Sequence, residues 1–94
     1  MLLGDLLSRF EDEDIAEEAV LQLGDLAMIA RLREAADAGG LAFGTFAAGA
    51  VRRYAAEASD EEWTTLMGVM SRAPDPGAAC LRRALAYVLG SARS

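Results

Sequence analysis

The sequence has no histidine and no lysine, and it contains one Cys, two Pro, one Trp, two Tyr and three Phe. Each shortage excludes something. Histidine is the side chain whose ordinary titration falls near neutrality, so its absence removes the usual general acid–base chemistry and the carboxylate–histidine pattern of di-iron bundles. Without lysine, Gly39-x4-Gly44-Thr45 keeps the glycine spacing of a phosphate-binding Walker loop but lacks its obligatory cation. A lone cysteine cannot close a disulfide within the chain. No run approaches the roughly 20 apolar residues of a membrane span, and the start MLLGDLLSRFEDED has no basic region ahead of an apolar one. A cytoplasmic protein is expected. No segment sustains period-two alternation of β-branched residues, so no strand is expected either.

What is present is small, apolar and acidic. At 94 residues and 53% hydrophobic content the chain suits one domain, with about 60–65% of the unfolded surface buried on folding. Alanine is abundant, so close backbone approach must replace bulk in the core. A net charge of −6 opposes association with a polyanion.

The spacing predicts an all-α array of five or six short helices. Leu3, Leu6, Leu7 and Phe10 recur at helical spacing. Asp14-x-x-Glu17 reads as a capping box with Asp14 as cap, opening a helix in which Ala16, Ala19, Val20, Leu23, Ala27 and Ala30 share a face. Gly24-Asp25 either ends that helix and caps the next or allows close approach within one long helix, and a break is the expectation. Met28, Ile29, Leu32, Ala35 and Ala36 continue to Gly39-Gly40. A helix from about Gly44 to Ala58 then carries Phe43, Phe46, Ala47, Ala50, Val51 and Tyr54 on one face. Ser59-x-x-Glu62 repeats the capping box before a stripe of Trp63, Leu66, Met67 and Met70, expected in the core. Pro74 ends that helix, and Asp75-Pro76 opens a last one with Leu81, Leu85, Val88 and Leu89 inward and Arg82, Arg83 and Ala86 outward.

Three features invite a functional reading. The run Glu11, Asp12, Glu13, Asp14, Glu17 and Glu18 lacks the spacing of a cation loop and reads as a solvated helix start, or as an acidic surface for a basic partner. Cys80, near Arg82 and Arg83, reads as a reactive thiolate or as a small core residue, the second being expected. Trp63, Met67 and Met70 read as core or as an adaptable binding stripe.

The stretch GLAFGTFAAGAVRRYAAEA, Gly40 to Ala58, resembles the second helix of ribbon-helix-helix repressors. Gly40 looks like that family's turn glycine, Phe46, Ala50 and Val51 like its core positions, and Arg52, Arg53 and Tyr54 like its basic-aromatic end. The resemblance spans roughly residues 26 to 58 and implies a DNA-binding helix pair, with Gly44 and Thr45 offering backbone N–H groups to a phosphate. The family's base-reading strand would fall at Glu17 to Leu23, which is acidic and helical in period.

Read structurally, Gly40, Gly44 and Ala48 form a small-residue row along which another helix can lie close. Together with the exposed Arg52 and Arg53 they make an interaction surface, and the surplus of small and apolar faces points to a homodimer seam or to another protein as partner. The residues assign no catalytic, metal or cofactor site. The expected function is a non-enzymatic interaction or regulatory protein, with a small transcriptional regulator as the alternative.

Overall fold

Residues 3–92 are described by the computed structural model, which folds as an all-α array of six helices with no strand among those residues. The first is α1 (Leu3–Phe10), which buries Leu6, Leu7 and Phe10 as the spacing requires. A two-residue corner leads into α2 (Glu13–Gln22), and its cap is Asp12, not Asp14. The Asp12 carboxylate accepts from the N–H groups of Asp14 and Ile15 at 3.0 and 3.1 Å. Both aspartates precede the apolar run, but α1 holds its helical geometry to Phe10, so the chain must turn at once and Asp12 occupies the extended cap position.

Gly24-Asp25 is a break. Gly24 takes φ = 68°, a left-handed conformation that strains any L side chain. Asp25 then caps α3 (Leu26–Ala38), accepting from the Met28 N–H at 3.0 Å. The break turns α3 away from the axis of α2, so Ala27 and Ala30 are exposed rather than continuing the face of Ala16 and Val20. Met28, Ile29, Leu32, Ala35 and Ala36 are all buried or half-buried as expected. At the other end Gly40, φ = 69°, closes a two-bond cap: the Gly40 N–H reaches the Asp37 carbonyl and the Leu41 N–H reaches that of Ala36.

The centre of the fold is α4 (Phe43–Glu57), which touches α1, α2, α3 and α6. Gly44, Ala47, Ala48, Ala50, Val51 and Tyr54 are buried along it. Small residues there permit unusually close packing: a Cβ placed on Gly44 would lie 2.8 Å from the carbonyl oxygen of Glu13 and 3.4 Å from the Cβ of Glu17. The first turn of α2 rests directly on the first turn of α4.

Ser59 caps α5 (Asp60–Arg72) by accepting from the Glu62 N–H at 3.1 Å. The reciprocal half of the expected box is missing, because the Glu62 carboxylate is engaged elsewhere. Asp75 caps α6 (Pro76–Ala92) at the Ala78 N–H, 3.2 Å away. Since α5 packs chiefly on α6, only a narrow stripe of it is covered. Leu66 is fully buried, Trp63 and Met70 are half-buried, and Met67 is 57% exposed, so the expected core stripe does not include Met67.

Candidate functional site

Four helices that converge without closing leave an open groove of about 1060 Å³ between α1, α2, α5 and α6. Much of its lining is apolar: Leu3, Leu6 and Phe10 from α1, Ile15 and Ala19 from α2 with its C-cap Leu23, Met67 and Met70 from α5, Pro76 and Leu81 from α6; Arg9, Glu18, Gln22, Ser71, Asp75 and Arg82 line the rest with small residues. Helical spacing places them there. Ile15, Glu18, Ala19 and Gln22 recur at three- and four-residue intervals on one side of α2, while Ala16 and Val20 on the next side are fully buried. Ile15 is 38% exposed, and with Met67 it leaves apolar side chains uncovered at the groove.

The acidic run is divided by the fold. Asp12 is spent as a cap, and Glu13 accepts a hydrogen bond from the Thr45 hydroxyl at 2.7 Å. Glu17 lies over Gly44. Glu18 lines the groove and accepts from the Gln22 amide at 3.4 Å, whereas Asp14, one turn before it, and Glu11, in the corner ahead of α2, lie outside the lining. Among the described residues none of these six carboxylates forms an ion pair. Nor does any group of three His, Cys, Asp or Glu there converge as a metal ion would need.

The small-residue row is used within the chain. Gly44 and Ala48 are buried and Gly44 sits beneath α2, so neither offers a seam to a second copy. Gly40 is exposed in the turn before α4 and is not part of the row at all. The expected phosphate position at Gly44 and Thr45 is corrected for the same reason: α2 covers it, and a carboxylate already takes the Thr45 hydroxyl. Arg52 and Arg53 are exposed on α4, Arg53 paired with Glu57 at 3.1 Å. Of the features that resemble ribbon-helix-helix proteins, the turn at Gly40 and the buried Ala50 and Val51 are present, but Glu17 to Gln22 is helix and Tyr54 is buried rather than displayed.

Sequence reasoning missed a polar lock joining three helices. Tyr54, fully buried in α4, donates its hydroxyl to Glu62 of α5 at 2.6 Å. Arg83 of α6, expected outward, instead clamps the same carboxylate through Nε and, at 3.0 Å, Nη2. The rings of Trp63 and Tyr87 meet Tyr54 edge-on, with centroids 5.4 and 5.3 Å away. The one local signal is that a buried tyrosine hydroxyl requires a partner; nothing local names Glu62 or Arg83. A parallel tie runs from Arg82 to Asp25, 2.8 Å, so one aspartate both caps α3 and holds α6.

This lock titrates at both ends of the pH scale. Hydrogen bonds from Arg83 hold the Glu62 carboxyl below its usual range. A depressed acid stabilises the fold above the ordinary carboxylate value of about 4.3 and loses that contribution as pH falls through the folded-state value. Burial first, and Glu62 second, push the Tyr54 phenol upward. Its contribution is complete below the ordinary tyrosine value of about 10 and is lost as pH rises beyond it. Thermal melts of Tyr54→Phe should therefore keep most of the acid limb, which the Arg83 bonds chiefly set and the Tyr54 hydroxyl adds to, and show a shallower alkaline limb. An alkaline limb as steep as the parent's contradicts this assignment.

Cys80 is buried in α6, and burial raises its thiol to about 11. At that value it is protonated at neutral pH and sheltered from reagents, which favours the core reading over the reactive one. No helix among the described residues is long and apolar enough to cross a membrane. In comparisons with known proteins, no family model, no curated protein and no solved structure matches the chain.

Proposed function

We propose that this chain is a non-enzymatic interaction protein whose working surface is the groove bounded by α1, α2, α5 and α6. The observation that carries this reading is Met67, a large flexible apolar side chain left 57% exposed at an apolar groove that also contains Met70 and Ile15. Methionine is unbranched and polarizable, and surfaces built on it adapt to apolar partners. Supporting the non-enzymatic part, the polar groups elsewhere are committed to structure: Glu62 and Arg83 to each other, Asp25 to a cap and Arg82, Cys80 to the core.

The test is a photoactivatable residue in place of Met67, compared in living cells with the same residue in place of the exposed Arg52. Adducts are expected at position 67 and not at 52. A mass of two chains would mark a second copy as the occupant, and a different mass another protein. Equal yield at the two positions, or none at 67, would refute the reading.

A further inference from the structure

We infer that α3 is a hinged flap: it detaches from α4 as one unit, between Gly24 and Gly40, while the other five helices stay folded. The inference concerns the chain alone and holds whatever occupies the groove, to whose lining α3 contributes no residue.

How a helix is held decides whether it opens by itself, since local openings cost least where few apolar contacts are buried. Among the other helices α3 packs chiefly on α4. It buries Leu32 and Ala36 fully and leaves Met28, Ile29 and Ala35 half-covered, and at its first turn Leu26 is 79% exposed. By contrast α2 and α6 each pack on several helices, and α1 buries Leu6, Leu7 and Phe10 and packs on both α2 and α4. Helix α5 also has one main neighbour, but Glu62 and Trp63 tie it further to Tyr54 and Arg83.

The polar ties of α3 lie at the surface. Asp25 meets Arg82 at 2.8 Å with both side chains open to water, and the Arg33 guanidinium stands 5.7 Å from the centre of the Phe43 ring. Pairs so exposed hold weakly. Both ends of the helix are free to turn. Gly24 and Gly40 sit at φ = 68° and 69°, and a Cβ on either would meet nothing beyond its chain neighbours within 4 Å. Glycine crosses to negative φ at little cost, so these two positions can absorb the swing of a helix between them. Once detached, a helix of 13 residues is marginal in water, so the opening exposes its amides together.

The test is native-state hydrogen exchange of the full chain, followed residue by residue in sub-denaturing guanidinium. The amides of Ala30 to Ala36 should exchange through one shared opening that grows with denaturant, protected at least about tenfold less than those of Ala50 and Val51 in α4. Tyr54→Phe removes a bond that the open form retains. It should speed exchange about tenfold in α4 and leave α3 unchanged. Asp25→Ala, which loses both the cap and the Arg82 tie, should speed exchange about tenfold in α3. Three results overturn the inference: α3 amides as protected as those of α4, α3 accelerating in step with α4 in Tyr54→Phe, or α3 exchange that ignores Asp25→Ala. So does protection that fades from the ends of α3 with no dependence on denaturant, the mark of fraying rather than of a unit.

Discussion

Replacing Tyr54 by alanine is expected to cost the fold about 3–5 kcal/mol, the range for deleting a large buried aromatic. The side chain is fully buried in the central helix and touches Trp63, Glu62 and Tyr87 together. Each edge-on ring pair contributes about 0.5–1.5 kcal/mol beyond the area it buries. For a domain whose total stability is of order 5–15 kcal/mol, such a loss takes about a fifth of the margin or more. It should appear as a drop in melting temperature on the order of 12–40 °C. Tyr54→Phe keeps both ring contacts and removes only the bond to Glu62, which retains Arg83. Its cost should be near 1.5 kcal/mol, the low end for a hydrogen bond to a charged group. A melt of Tyr54→Ala within a few degrees of the parent would mean that α4, α5 and α6 are not joined through this side chain.

Two glycines in α4 should respond in opposite directions to the same substitution. Gly49→Ala places its methyl near nothing but the end of Arg52, 3.9 Å away. It should stabilise by about 0.5–1 kcal/mol, because alanine loses less backbone freedom than glycine on entering a helix. Gly44→Ala has the same propensity gain but drives its methyl to 2.8 Å from the Glu13 carbonyl oxygen. That obstacle is backbone, not the movable end of a side chain, so α2 itself must shift. Overpacking of this kind costs about 1–3 kcal/mol, occasionally more, and a net loss of up to about 2.5 kcal/mol is expected after the propensity gain. Because α2 also forms a wall of the groove, Gly44→Ala should weaken binding there as well as stability. Chemical denaturation of the two variants side by side checks the signs, and stabilisation by both would show that α2 does not rest on α4.

Periodicity and capping chemistry made the helices legible. The apolar stripes of α1 and α6, the break at Gly24-Asp25, the stop at Gly39-Gly40 and the caps at Ser59 and Asp75 follow from local rules, and the structure has each of them. Where two candidates stood close together the choice was not local: Asp12 rather than Asp14 caps α2 because of where α1 ends.

The groove was less legible for a related reason. Helical spacing says that Leu66, Met67 and Met70 share a side of α5, but not how much of that side a neighbour covers. Since α6 covers only part of it, Leu66 is in the core and Met67 is not. Likewise the spacing of Gly44 and Ala48 announces a close helix without saying which one; it is α2 of the same chain. Arg83 lies on a face read as outward and still reaches Glu62, a contact set by the packing of α5 on α6.

The working face proposed for this chain is the Met67 groove and not the arginine-bearing side of α4. Its most direct measurement is the yield of photocrosslinked partner at position 67 relative to position 52 in the intact chain. The expected ratio is about tenfold or more, and it should collapse when Ile15→Glu alters the opposite wall. A ratio near one, or a yield at 67 that ignores Ile15→Glu, would contradict it.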